Sequence, residues 1–139
     1  MSQGQQILRF KAGLGHKVSG EALVARDDFS ARYDLDRIKG EFSRPQHALF
    51  GKNYVGKILV VNTAKGGVAS AWMLHEMCSR KMAPLAILFN EVNPILAQGA
   101  ALAGLTICHR FLDIDVTTAI QTGDHLNVDP QAGTVTLHC

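Results

Sequence analysis

The chain has 139 residues, of which 47% are hydrophobic and 19% are charged, and its formal net charge at pH 7 is +2. This length and hydrophobic content predict one compact domain over residues 1–139, with a substantial core. The small and dispersed positive charge argues against binding to nucleic acid or to an anionic membrane. No apolar run reaches the roughly 18 residues that span a bilayer, and the N-terminus lacks the features of a secretion signal. We therefore expect a cytoplasmic protein.

Up to about Lys57, short apolar runs alternate with polar residues and glycines. Residues 6–11 and 18–25 are predicted strands, joined by glycine-containing turns. The stretch 27–53 mixes charged residues, glycine, proline and scattered aromatic residues, and it shows no sustained period. We predict a long ordered loop there, in which His47 either orders the loop or borders the interface with a partner. Loops of this length in compact domains are often functional.

From Gly56 onward, buried-strand patterns alternate with helical patterns. This alternation predicts parallel strand pairing and an α/β fold with a partly parallel sheet. The predicted elements are strands at 58–61, 85–89 and 105–111, helices from 68 onward and over 95–102, and a closing hairpin over 127–137. On the first helix, Trp72 is expected to be a core residue, and Met73, Met77 and Met82 either form an apolar surface for a partner or fill the core.

The junction between the strand at 58–61 and the following helix is the most informative segment. Gly66 and Gly67 let the backbone turn tightly, and the free N–H groups of the helix start favour an anion. Lys65 and the hydroxyl of Ser70 would converge on the same point. A carboxylate or a phosphate would suit this site. The alternatives are a solvated Lys65 and a Ser70 that satisfies only the local backbone.

A second polar loop, residues 90–93, directly follows the next predicted strand. Asn93 is the predicted N-cap of the second helix, and Pro94 fits its first position. Ligands gather where the carboxyl ends of parallel strands lead into helices, so both loops are candidates for one site. Glu91 either acts in that site or braces the loops by accepting backbone hydrogen bonds. Neither loop carries a nucleotide-binding fingerprint.

Arg32 and Ser30 are further candidates, in the long loop. The planar guanidinium of Arg32 suits a carboxylate, and Ser30 could add a hydroxyl group. A structural pair of Arg32 with Asp34 or Asp36 is the alternative.

The three cysteines do not predict a metal site in this chain. Cys78, Cys108 and Cys139 form no Cys-x-x-Cys pair and cannot by themselves hold a four-thiolate cluster. Cys78 and Cys108 are expected to be small buried hydrophobic residues. The histidines show no metal-ligand spacing either.

Several short motifs occur in an order that resembles a known family. They are Gly-Glu-Ala-Leu-Val at 20–24, Asp-Asp-Phe-Ser-x-Arg-Tyr-Asp at 27–34, His-Ala-Leu at 47–49, the loop 56–67, the segment 90–99, and Thr-Gly-Asp at 122–124. Together they resemble the small subunit, or swivelling domain, of the aconitase X family. The resemblance extends from about residue 13 to residue 137.

The resemblance implies a swivelling β/β/α domain that caps a larger subunit or a fused domain. In this family the larger part carries the iron–sulfur cluster or metal site, and characterised members dehydrate cis-3-hydroxy-L-proline or mevalonate 5-phosphate. The implied function is the small subunit of a heteromeric hydro-lyase that acts on a small anionic hydroxy acid, most similar to cis-3-hydroxy-L-proline. Two alternatives stay open: an isomerase or lyase with another hydroxy-acid substrate, and a noncatalytic anion-binding swivelling domain.

The resemblance also implies roles for individual residues. Family members commonly continue the glycine turn with a serine-rich segment resembling Gly-Ser-x-x-Gly-Ser, and a serine there is the expected proton-abstracting group. This chain has Val-Ala-Ser-Ala at 68–71, so the last family serine aligns with Ala71 and Ser70 precedes it by one residue, which is about 100° of helix rotation. We expect Ser70 and Lys65 to be catalytic. The expected substrate-binding residues are Gly66, Gly67, Ser30, Arg32, Glu91 and Asn93.

Overall fold

The computed structural model describes residues 5–29, 34–64 and 68–138. The described residues form nine strands and three helices, in the following order along the chain: β1 (Gln5–Leu14), β2 (Val18–Val24), β3 (Leu35–Asp36), β4 (Glu41–Phe42), β5 (Ile58–Thr63), α1 (Val68–Ser79), β6 (Ala86–Glu91), α2 (Pro94–Leu102), β7 (Thr106–Phe111), α3 (Val116–Ala119), β8 (His125–Asp129) and β9 (Thr134–His138). Seven of the strands close into a barrel in the order β1-β7-β6-β5-β2-β8-β9, and β3 pairs with β4.

Parallel and antiparallel pairing divide the barrel into two parts. β2, β5, β6 and β7 pair in parallel. The other barrel pairs are antiparallel, including β8 with β9. The predicted partly parallel sheet, the strand-loop-helix units and the C-terminal hairpin are therefore confirmed.

The strands β5, β6 and β7 are buried on both faces. Ile58 and Val60 point into the barrel, whereas Leu59 and Val61 pack against the helices and the long loop. Because side chains alternate along a strand, each of these strands contributes to two cores, and this explains their nearly continuous apolar sequence. The result is a β/β/α arrangement with the helices on one side.

The long loop forms a cover on the helix side of β5 and β6. It includes the β3–β4 pair, and its aromatic residues Phe42 and Tyr54 are fully buried. The buried imidazole of His47 stabilises it: Nδ1 accepts a hydrogen bond from the Leu49 N–H at 3.1 Å, and Nε2 lies 3.1 Å from the Asp28 carbonyl oxygen. His47 therefore orders this loop, which is one of the two roles that the sequence indicated.

The prediction for the buried face of α1 was wrong. Trp72 is 68% exposed, whereas Leu74 and Met77 form the buried face of the helix. Met77 thus belongs to the core, and Met73 packs against it. The short helix α3 was not predicted.

Candidate active-site cleft

The carboxyl ends of β5, β6 and β7 meet at one edge of the barrel. Thr63 and Glu91 are paired across β5 and β6, and the side chain of Arg110, near the end of β7, donates to Glu91. The described starts of the two polar loops, at Thr63 and Glu91, therefore lie side by side, at the place where parallel α/β folds bind ligands.

Asn90 connects three elements through its side-chain amide. Its Nδ2 donates to Asn62 Oδ1 at 2.9 Å and to Asp115 Oδ1 at 2.8 Å, while its Oδ1 accepts from the Val116 N–H at 2.8 Å. Asp115 is also the N-cap of α3 and accepts from the backbone and the hydroxyl of Thr117. The hydrogen bonds from Thr117 and Asn90 hold the pKa of Asp115 below its usual range. This network fixes the ends of β5 and β6 relative to α3.

Asp28 ties the start of the long loop to the end of β5. Its Oδ1 accepts from Asn62 Nδ2 at 3.0 Å and from Thr63 Oγ1 at 2.7 Å. Beside it, the Phe29 N–H donates to the Thr63 carbonyl oxygen at 2.8 Å, and Phe29 forms a parallel bridge with Ala64. Phe29 and Ala64, the last described residues before 30–33 and 65–67, therefore lie next to each other at this edge.

A cleft of about 340 Å³ lies between these strand ends and the start of α2. Asn93 caps α2, since its Oδ1 accepts from the Leu96 N–H at 2.9 Å, and Pro94 occupies the first turn. The predicted N-cap is therefore confirmed. The cleft is lined by Thr63, Ala64, Glu91, Val92, Asn93, Pro94 and Arg110.

Glu91 forms an ion pair with Arg110 at the cleft. The Nε of Arg110 donates to Oε1 at 3.0 Å and to Oε2 at 3.2 Å, and Nδ1 of His109 lies 3.5 Å from Oε1. Desolvation raises the pKa of Glu91, but the hydrogen bond and the charge of Arg110 outweigh it and hold this pKa below its usual range. Among the residues that the structure describes, Glu91 accepts no hydrogen bond from a backbone N–H. Its contacts are with the side chains of Arg110 and His109 of β7.

Arg110 was not singled out from the sequence. Its backbone has φ of 63°, which costs a residue with a Cβ roughly 1–2 kcal/mol. The sequence nevertheless contains a feature that could have indicated Arg110. This residue lies near the end of the third predicted strand, just as Asn62 and Asn90 lie at the ends of the first two.

Most of the predicted site residues lie outside the described part of the chain. These are Lys65, Gly66, Gly67, Ser30 and Arg32. Ser70 is the third residue of α1, and its side chain is likewise outside the description. Glu91 and Asn93 are described, and both line the cleft.

The cysteines do not fit an iron–sulfur cluster. Cys108 is buried inside the barrel, and burial raises its pKa to about 12, whereas cluster ligation needs a thiolate. Burial also raises the pKa of the half-buried Cys78. Cys139 lies outside the described residues. Within 5–29, 34–64 and 68–138, no group of three or more His, Cys, Asp or Glu residues could hold a metal ion.

An apolar groove of about 380 Å³ runs between α1 and α2. Trp72, Ile95 and Leu102 along it are 68%, 54% and 84% exposed. Three large apolar side chains exposed together are typical of an interaction surface. Ile95 directly follows Pro94, so the groove and the cleft adjoin at the start of α2.

No helix within the described residues is long and apolar enough to cross a membrane.

Comparison with known proteins gives consistent results. The chain is 32% identical over 123 residues to the phosphomevalonate dehydratase small subunit of Methanocella arvoryzae, covering 88% of this chain and 92% of that protein. It is 32% identical over 113 residues to the protein of the same name from Methanopyrus kandleri, covering 81% and 83%.

The fold has close structural relatives as well. The crystal structure of Thermococcus kodakaraensis aconitase X in its holo-form superposes with a TM-score of 0.86 at 25% identity, covering 95% of this chain and 98% of that chain. A solution NMR structure of a structural genomics target gives 0.84 at 26% identity, with the same coverage. A family model described as the aconitase X swivel domain matches residues 7–137. The chain therefore belongs to the aconitase X swivel-domain family.

Proposed function

We propose that this chain is the small subunit of a two-part dehydratase that removes water from a hydroxylated carboxylic acid. The match to the swivel-domain family over residues 7–137 carries this proposal, and the relatives named above are small subunits of such an enzyme. Their names favour mevalonate 5-phosphate as the substrate. The alternative that the sequence suggested, a cis-3-hydroxy-L-proline-like substrate, stays open to the same assay.

The cleft would form one wall of the active site. Dehydration breaks a C–O bond and a neighbouring C–H bond, so a base must take the carbon-bound proton while the leaving hydroxyl group takes up a proton and departs as water. We assign the base to Ser70, with Lys65 and the start of α1 stabilising its alkoxide. Gly66, Gly67, Ser30, Arg32, Glu91 and Asn93 are the proposed substrate-binding residues.

The large subunit is the proposed occupant of the apolar groove. The groove adjoins the cleft at the start of α2, so a partner seated there would also cover the cleft and exclude water. We assign the iron–sulfur cluster or metal to that partner, because Cys78 and Cys108 do not fit one.

The test is to co-express this chain with its large subunit and to follow formation of the carbon–carbon double bond. We expect turnover by the complex and none by the chain alone. Ser70→Ala should lower kcat about 100-fold or more, in line with the loss of a general base. Ser79→Ala, at the exposed opposite end of α1, is the matched control and should leave kcat unchanged.

Two results would point to the other functions. Near-normal kcat in Ser70→Ala would remove Ser70 as the base and favour an isomerase or lyase with a different proton acceptor. The sequence at 68–71, which departs from the serine-rich family pattern, motivates that reading. Absence of any turnover by the complex, with retained anion binding, would favour a noncatalytic swivelling domain.

A further inference from the structure

Arg110 combines a strained backbone with an exposed side chain. Its φ of 63° lies in the left-handed region, which suits glycine and disfavours any residue with a Cβ. The side chain is 61% exposed and lines the cleft. A strained residue at a cleft indicates that the position is used for its side chain.

Only part of the guanidinium group of Arg110 is hydrogen-bonded to other described residues. Its Nε donates to Glu91, and among the described residues its two terminal NH₂ groups have no hydrogen-bond partner. These groups present parallel N–H bonds in a plane. That geometry matches the paired oxygens of a carboxylate or a phosphate.

The Arg110–Glu91 pair can exchange for a ligand at little cost. Arg110 is 61% exposed and Glu91 is 50% exposed, so water screens the pair strongly. An incoming anion would therefore replace a weak contact. Glu91 would then be a competitor for the guanidinium while the cleft is empty.

We propose that Arg110 binds an oxyanion of the substrate, a phosphate or a carboxylate group, and that Glu91 competes with it for the guanidinium. This inference rests on the proposed dehydratase function and adds the residue that recognises the anionic end of the substrate. A phosphate and a carboxylate group would be bound in the same way, with the planar guanidinium donating to two oxygen atoms of the anion. Which of the two groups it binds is decided by the experiment below.

The experiment uses the complex of both subunits and two opposite substitutions. In Arg110→Gly the strain and the guanidinium disappear together, and KM should rise about 10-fold or more with kcat little changed. In Glu91→Gln the competitor is neutralised, and the inhibition constant of inorganic phosphate or acetate should fall. A purely structural role would shift both variants in the same direction.

Lys81→Gly is the matched control. Lys81 has φ of 59° and an exposed side chain just after α1, away from the cleft. Both glycine variants should keep or exceed the wild-type thermal midpoint, since both relieve left-handed strain. Only Arg110→Gly should change KM.

The two inhibitors, inorganic phosphate and acetate, show whether Arg110 binds the phosphate or the carboxylate group of the substrate. A rise in the inhibition constant of inorganic phosphate alone assigns the phosphate to Arg110, and a rise for acetate alone assigns the carboxylate. Unchanged KM and unchanged inhibition by both probes in Arg110→Gly would overturn the inference while leaving the dehydratase proposal standing. If the wild-type complex has no dehydratase activity, the proposed function fails, and calorimetric titration with both probes still tests Arg110. Equal binding by wild type and Arg110→Gly would then overturn the inference.

Discussion

At the scale of single residues, the side chain of Asn90 connects the strand ends beside the cleft. Its amide donates to Asn62 and Asp115 and accepts from the Val116 N–H, so it satisfies groups from β5 and α3 at once. A side-chain amide suits this role, because it offers two N–H donors and an oxygen acceptor in one planar group. The position of the strand ends therefore depends on a hydrogen-bonded network that includes two carboxylates, those of Asp28 and Asp115.

The charge of Asp115 makes the network sensitive to acid. The folded-state pKa of Asp115 is lowered by its hydrogen bonds from Thr117 and Asn90, so its stabilisation is complete above the ordinary Asp value of about 3.9. The stabilisation is lost as the pH falls through the lower folded-state value. Asp115→Asn keeps a capping side chain but removes the charge. We expect wild type to be the more stable at pH 7 and the difference to shrink below about pH 4.

Urea unfolding of both proteins between pH 7 and pH 3 measures this difference. Asp113→Asn, two residues earlier and exposed, is the control and should show no comparable pH-dependent gap. A constant gap between wild type and Asp115→Asn across the range would contradict the assignment of the stabilisation to the carboxylate.

The residues in and beside the cleft differ in how far the sequence could predict them. Asn93 could be predicted, because its role depends only on the helix that directly follows it. The contacts of Asn90 could not, because they depend on the register between strands and on α3, which lacks a clear helical period over its four residues. Arg110 depends in addition on a left-handed backbone that no local motif indicates.

At the scale of elements, the strands were more predictable than the helix faces. β5, β6 and β7 are apolar because both of their faces are buried, and a continuous apolar run predicts such strands directly. α1 has apolar residues around most of its circumference, so periodicity did not distinguish the buried Leu74 from the exposed Trp72. The resemblance to the aconitase X family predicted the β/β/α class, but it did not predict which face of α1 is buried.

The contact between α1 and α2 depends on Gly99. A Cβ at Gly99 would overlap the Cβ of Ala71 on the facing helix, so Gly99→Ala must push the helices apart. Helix propensity favours alanine by about 1 kcal/mol, but the clash with a side chain fixed to the opposite backbone should outweigh it. We expect a net loss of about 1–3 kcal/mol in the free energy of unfolding.

Denaturant unfolding of Gly99→Ala tests this expectation, and the double variant Ala71→Gly/Gly99→Ala is its control. The double variant restores the space and should recover part of the loss. The exposed neighbour Gln98 offers a second control, since Gln98→Ala should change stability by less than about 0.5 kcal/mol. Equal stability of Gly99→Ala and wild type would show that the helices are not in close contact.

At the scale of the whole molecule, the cleft lies at the start of α2, where the groove between α1 and α2 also begins. The closed barrel fixes the strand ends, and the helices on one side present the exposed residues Trp72, Ile95 and Leu102. A partner that seats on the groove therefore also meets the cleft. This arrangement suits a subunit that completes its active site only on assembly.

Trp72 gives this assembly a direct signal, because it is the only tryptophan of the chain. Its ring is 68% exposed and contacts His75 edge-on, with ring centroids 6.0 Å apart. If the large subunit docks on the groove, water leaves the indole and its fluorescence emission should move to shorter wavelength. A large subunit whose own tryptophans are replaced by phenylalanine keeps the signal specific. Leu102→Ser should weaken association about 10-fold or more, since it removes an 84% exposed apolar side chain from the interface.

Ile38→Ser is the matched control, because Ile38 is 78% exposed on the long loop and does not line the groove. It should leave both the emission shift and the affinity unchanged. A complex that forms with no change in Trp72 emission, or with equal affinity for Leu102→Ser and wild type, would place the large subunit on a different surface. The dehydratase proposal would survive that result, because its own test is turnover by the assembled pair.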